Sequence, residues 1–121
     1  MDETGYVLKW FSAFLFTMAL EVPIVGALTH RLGKPWPRRL AVALTAQCAS
    51  HPAVWFIFPA LGMAYRDQII VSELWALLSE TLIYFGIFEK LTLPRAFAIS
   101  LLANGVSYGL GVLSQRYTSL F

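Results

Sequence analysis

Glu21, Glu73 and Glu80 lie inside long apolar stretches of this chain, and His51 and Asn104 lie inside two others. A carboxyl group in apolar surroundings has to be neutral, share a proton, pair with a basic group or hold a cation. Glutamate and histidine are the usual components of intramembrane proton relays. The residue types therefore indicate proton or cation binding, and the same groups could also act as acid and base in a hydrolase.

Apolar segments long enough to cross a bilayer must position these residues. Hydrophobic residues make up 58% of the 121 positions and charged residues 13%, whereas soluble domains carry roughly 25% charged residues. Four segments approach the roughly 20 residues that a transmembrane helix needs. The prediction is one all-α domain over residues 1–121, a polytopic membrane protein folded as an antiparallel four-helix transmembrane bundle, with spans near 8–29, 39–63, 68–88 and 94–114.

The distribution of basic residues predicts the orientation of the spans. Six of the nine Lys and Arg residues lie in the first and third connections or beside them, at Arg31, Lys34, Arg38, Arg39, Lys90 and Arg95. The positive-inside rule then puts both termini outside the cytoplasm, in a multi-pass protein of the plasma (inner) membrane. The expected partners are the lipid bilayer and a second copy of the chain or a larger membrane complex. The chain has no run of basic residues, so the sequence gives no indication of nucleic-acid binding.

One polar side chain from each span falls in a common layer. At 1.5 Å per residue, this layer is about 6 Å thick and lies near the middle of the bilayer. Its members are predicted to converge as a proton- or cation-binding site: Glu21, His51, Glu80 and Asn104. Glu73 shares a helix face with Glu80 but lies about 10 Å nearer the outside, so it is predicted to be an outer relay. Neighbouring positions are predicted to support the site: Thr17, Pro23, Gln47, Pro52, Tyr84 and Ser107.

A divalent metal ion is the one cofactor that the sequence suggests. Its candidate ligands are Glu21, His51 and Glu80, because two carboxylates and an imidazole can hold such an ion and activate water. A metal-dependent or acid–base intramembrane hydrolase is therefore an alternative function, although the chain has no His-Glu-x-x-His signature. A structural subunit or assembly factor of a membrane complex is a further alternative. Whether the protein is an enzyme stays open at this point, and no catalytic residue is assigned.

Prolines inside the first two spans predict local irregularity. Pro23, Pro52 and Pro59 each lack the backbone N–H that a regular helix would use, and so each frees a carbonyl four residues earlier. Inside a bilayer a freed carbonyl must find another partner. We therefore predict that the first two spans bend beside the polar site.

The polar residues and prolines form an ordered pattern along the chain: Glu21-x-Pro23, His51-Pro52, Glu73 with Glu80, and Ala103-Asn104-x-x-Ser107. This pattern resembles one in small, uncharacterised four-span membrane proteins of bacteria and archaea. The resemblance would cover nearly the whole chain. It implies a four-helix integral membrane fold and no assigned activity.

Overall fold

A computed structural model describes residues 2–117, and four long helices account for most of them. Helix α1 spans Glu3–Leu28, α2 spans Trp36–Pro52, α3 spans Tyr65–Ile87 and α4 spans Leu93–Tyr117. A π-helical turn, Ala53–Ile57, and a 3₁₀ turn, Phe58–Leu61, extend α2, and a 3₁₀ turn at His30–Leu32 follows α1. The described residues contain no strand. The all-α, four-helix prediction is therefore confirmed for this part of the chain.

All four helical segments are long and apolar enough to cross a membrane, when the turns that extend α2 are counted with it. The helices begin and end somewhat differently from the predicted spans, because charged residues do not stop them. α1 begins at Glu3 rather than near residue 8, since the Asp2 side chain caps it by accepting a hydrogen bond from the Gly5 N–H at 2.7 Å. At the other end of the chain, α4 continues to Tyr117 rather than ending near residue 114.

The prolines act differently in the first two helices. α1 remains α-helical through Pro23, whose side chain is exposed. After Pro52, by contrast, the hydrogen-bonding pattern changes from α to π. The carbonyl of Trp55, which Pro59 cannot bond, accepts a hydrogen bond from the Tyr6 hydroxyl at 2.5 Å. The expectation that a freed carbonyl finds a partner is thus confirmed at Trp55, and the helical irregularity lies in the second span.

One half of the bundle is filled by an apolar core. Its buried members are Val25, Val42, Ala43, Ala46, Tyr84, Phe88, Leu91, Ala96, Ile99 and Ala103. Four of these ten residues are alanines, and small side chains let helices approach closely. The connections 29–35 and 88–92 lie side by side at this end, where a Cβ atom on Gly33 would come within 3.8 Å of the Lys90 Nζ. We call this region the sealed half.

Each helix packs against its neighbours in sequence, and α4 also packs against α1. This arrangement closes the four helices around a common interior. Large apolar side chains remain exposed on the outside along every helix, among them Leu8, Leu61, Leu82 and Leu101. The hydrophobic surface thus faces outward while several polar groups face inward, the reverse of a water-soluble bundle.

Candidate functional site

Five polar side chains meet at the boundary of the sealed half, and we call them the carboxyl cluster: Glu21, Gln47, Glu80, Asn104 and Ser107. Every helix contributes at least one of them. Glu21 and Glu80 are buried, with exposed fractions of 1% and 0%, and their carboxyl groups lie within hydrogen-bonding distance of each other. The structure therefore brings together three of the four residues predicted to form the site.

Each of the four carboxyl oxygens in the cluster accepts a hydrogen bond from a neutral donor. Gln47 bridges the pair, since its Nε2 donates to Oε2 of Glu21 and, at 2.6 Å, to Oε1 of Glu80. Asn104 Nδ2 donates to Oε2 of Glu80 at 2.5 Å, and Ser107 Oγ donates to Oε1 of Glu21. An amide nitrogen has two hydrogens, so Gln47 uses its full donor capacity on the two carboxyl groups.

Residues outside the cluster fix the orientation of Asn104. Its Nδ2 also donates to the backbone carbonyl of Ser100 at 2.9 Å, and the Ser100 hydroxyl donates to the Leu77 carbonyl on α3 at 3.0 Å. Ser100 is fully buried. This chain of hydrogen bonds ties α4 to α3 one turn from Glu80. The Asn104 amide that donates to Glu80 is therefore held in place by the backbone of α4 rather than by a mobile side chain.

A cavity of about 370 Å³ leads from the cluster to the end of the bundle opposite the sealed half. Residues at its mouth include Tyr6, Pro59, Tyr65 and Gln115. The path from Tyr6 to Glu21 along α1 is roughly 22 Å at 1.5 Å per residue. Glu21, Gln47, Asn104 and Ser107 line the inner end of the cavity. Glu80 does not line it and lies behind them, so it contacts the cavity only through the other cluster members.

His51 is not part of the carboxyl cluster, which corrects the sequence prediction. It lines the cavity, but among the described residues its Nδ1 has no hydrogen-bond partner. Its ring packs against Phe14 and Trp55, with centroid distances of 5.3 and 6.5 Å. Gln47, one turn earlier on the same helix face, takes the position expected of His51. Because α2 begins at Trp36 rather than near residue 39, His51 lies farther from the sealed half than predicted, and Gln47 is about 6 Å nearer to it.

The predicted metal-ligand set of Glu21, His51 and Glu80 is consequently not assembled. Within residues 2–117, no three His, Cys, Asp or Glu side chains are placed to hold one metal ion. The carboxyl oxygens are instead surrounded by amide and hydroxyl groups that donate hydrogen bonds to them. Such groups stabilise a negative charge or a shared proton, and each carboxyl oxygen keeps one lone pair besides the one that accepts the hydrogen bond.

The other predicted residues divide between the cavity and the rest of the bundle. Thr17 and Glu73 line the cavity, where their helix faces place them. Tyr84, predicted to support the site, is instead packed in the sealed half, with 1% of its surface exposed and no partner for its hydroxyl among the described residues. Pro23 and Pro52 are adjacent to the site in sequence but do not line the cavity.

Sequence reasoning missed the aromatic lining of the cavity, which consists of Tyr6, Trp55, Tyr65 and Tyr108 together with the His51 ring. A signal for Tyr108 is present in the sequence. Asn104, Tyr108, Gly111 and Gln115 recur at intervals of four, three and four, which places them on one face of α4. Tyr108 is 47% exposed and also lines the cavity, so this spacing is the one sign of its position that the sequence contains.

Comparison with protein-family models, with curated proteins and with solved structures finds no match for this chain. The geometry of the cluster and of its cavity is therefore the basis for a functional interpretation.

Proposed function

We propose that this chain is an integral membrane protein that binds a proton reversibly at the Glu21–Glu80 pair and exchanges it through the cavity. The observation that carries the proposal is the pairing of two buried carboxyl groups whose four oxygens accept hydrogen bonds only from neutral side chains. Proton binding is thus favoured over the other functions that the sequence left open.

The charge balance of the cluster supports one shared proton. Two carboxylates in hydrogen-bonding contact repel each other strongly, and pairs of this kind share a proton rather than both ionise. Lys and Arg occur only toward the ends of the four helices and in the connections between them, so none can neutralise the pair directly. The neutral donors from Gln47, Asn104 and Ser107 stabilise the single negative charge that remains after one proton is bound.

The position of the pair supports proton exchange with one side only. Glu21 lines the inner end of the cavity, whereas Glu80 lies behind it next to the apolar core. A proton arriving from the mouth reaches Glu21 first and passes to Glu80 over one hydrogen bond. Glu73, on the cavity wall about 10 Å along α3 from Glu80, is a proton-relay residue on this path.

The same arrangement supports an antiparallel bundle that spans the plasma (inner) membrane. The first and third connections are adjacent, and the Tyr6 hydroxyl near the start of α1 reaches Trp55 near the end of the second span. The basic residues of both connections then lie at the sealed end. By the positive-inside rule this end is cytoplasmic, both termini are outside, and the cavity opens to the outside.

Infrared spectroscopy of the purified protein in lipid tests the proposal. Wild-type protein is expected to show the carbonyl stretch of a protonated carboxyl group. Glu21→Gln and Glu80→Gln should each shift the frequency or the pH dependence of this band, because each leaves one buried carboxyl group without its charged partner, and the double substitution should remove the component that the pair contributes. Glu89→Gln, at an exposed position outside the helices, is the matched control and should leave the band unchanged. A band that none of these substitutions alters would refute the shared proton.

A further inference from the structure

The cavity above the carboxyl cluster has features that a path for protons alone does not need. Its volume of about 370 Å³ lies at the lower end of the range of small-molecule sites, roughly 300–1,000 Å³. A proton relay needs only a file of waters and hydrogen-bonding groups. The cavity therefore has room for a bound small molecule.

The charged residues that line this cavity are all acidic. Glu21 lies at its inner end and Glu73 on its wall, and no Lys or Arg is among the lining residues. Glu73 is half-buried and makes no hydrogen bond or ion pair with another described residue. The remaining titratable groups of the lining are His51, Tyr6, Tyr65 and Tyr108. A cavity lined by one sign of charge concentrates ions of the opposite sign, so it favours cations and repels anions.

Aromatic rings surround the space between the mouth and the acidic groups. Trp55 and His51 stack with an interplanar angle of 15°, and Tyr6 packs against Trp55 at a centroid distance of 5.5 Å. Tyr65 and Tyr108 line the same space from α3 and α4. Aromatic faces attract organic cations, most strongly where water is excluded, and they do so without competing for the strongly held water of a metal ion.

We infer that the cavity binds a small organic ammonium cation, held between Glu73 and the aromatic rings of Tyr6, Trp55 and Tyr108. The inference rests on the proposed function, because the Glu21–Glu80 pair at the inner end gives the cavity the charge with which the cation and the proton compete. A cation in the cavity favours loss of the shared proton, and protonation of the pair weakens cation binding.

Calorimetry with a defined set of probes tests the inference. Tetramethylammonium, choline and benzylammonium are titrated into the protein in lipid nanodiscs, and 3,3-dimethylbutan-1-ol serves as the uncharged isostere of choline. At least one cation should bind about tenfold or more tightly than the isostere, because only the cation gains a cation–π contact and a carboxylate of opposite charge. Its affinity should fall as the pH is lowered.

Variants locate the site within the cavity. Glu73→Gln and Trp55→Leu should each weaken binding of the cation about tenfold. Asp67→Asn, an exposed acidic residue in the first turn of α3 that does not line the cavity, should have no effect. If no cation binds more tightly than the isostere, or if Asp67→Asn weakens binding as much as Glu73→Gln, the inference is wrong. The infrared test is independent of added cations, so the proton proposal can succeed where this one fails.

Discussion

The two halves of the bundle are built from the same four helices but differ in what their interiors contain. In the sealed half, mainly alanine, valine and aromatic side chains fill the interior between the helices. In the other half, polar and aromatic side chains line an open cavity. The carboxyl cluster lies where the two meet. The apolar packing therefore closes the carboxyl pair off on one side, and the cavity reaches it from the other.

The largest expected effect comes from opening the sealed half. Phe88 is 1% exposed within the apolar core, whereas Phe85 is 45% exposed on the outside. Phe88→Ala should lower the free energy of unfolding by roughly 3–5 kcal/mol, because a cavity is left where the ring packed. Phe85→Ala should lower it by less than about 1 kcal/mol. Reversible unfolding in mixed micelles measures both, and equal effects would mean that the sealed half is not a packed core.

A smaller loss is expected from removing the bridge between the two carboxyl groups. Gln47→Leu leaves one oxygen of Glu21 and one of Glu80 without a donor, which should cost about 2–4 kcal/mol. The same substitution at the exposed Gln115 should be nearly neutral. His51→Phe should cost less than about 1 kcal/mol, since the imidazole makes ring contacts but no hydrogen bond with another residue in the range 2–117. A larger cost at His51 than at Gln47 would restore the histidine to the site.

The contact that holds the cavity mouth together should have a more modest effect. Tyr6→Phe removes the hydrogen bond to the Trp55 carbonyl, at a cost of about 1 kcal/mol. The π-helical turn Ala53–Ile57 should then exchange its amide hydrogens faster, as mass spectrometry of peptides from this segment would show. Tyr117→Phe, at a position that is 78% exposed, provides the comparison. Unchanged exchange in the Tyr6 variant would mean that this hydrogen bond does not restrain the turn.

The smallest effect, and one of opposite sign, is expected at Tyr84. Its hydroxyl is buried in the sealed half without a hydrogen-bond partner among the described residues. Removing an unsatisfied polar group from an apolar core is neutral or favourable, so Tyr84→Phe should raise the free energy of unfolding by up to about 1 kcal/mol. A clear loss of stability instead would show that the hydroxyl serves the cluster after all.

The same comparison shows how far sequence reasoning reaches. The apolar composition and the length of the segments with few charged residues are sufficient to predict four helices, because a long apolar segment in a bilayer has few backbone structures other than a helix available to it. The convergence of Glu21, Glu80 and Asn104 could be predicted from their depth along each helix. Residue type favours His51 over Gln47, and a second span that begins at residue 39 rather than at Trp36 makes His51 lie closer to the common layer than it does.

The difference between the predicted and the observed surroundings of Tyr84 has another cause. Helical spacing placed it on the face of Glu80, and the structure does turn it inward. A shared face, however, does not specify whether a side chain meets a cavity or a packed core farther along the axis. That depends on side chains from other helices, such as Ala46 and Ala103, which belong to the same core. The pattern within one helix does not contain this information.

Thiol accessibility in oriented proteoliposomes tests most directly whether the carboxyl pair is reached from one side only. Cys48, the single cysteine, is exposed and is first replaced by alanine. Ser72→Cys, on the cavity wall, should then react with a small water-soluble thiol reagent added at the side of the termini and not from the opposite side. Ala96→Cys, in the sealed half, should react from neither side. Reaction of the residue 72 thiol from the opposite side, or of the residue 96 thiol from both, would contradict a one-sided cavity that ends at Glu21 and Glu80.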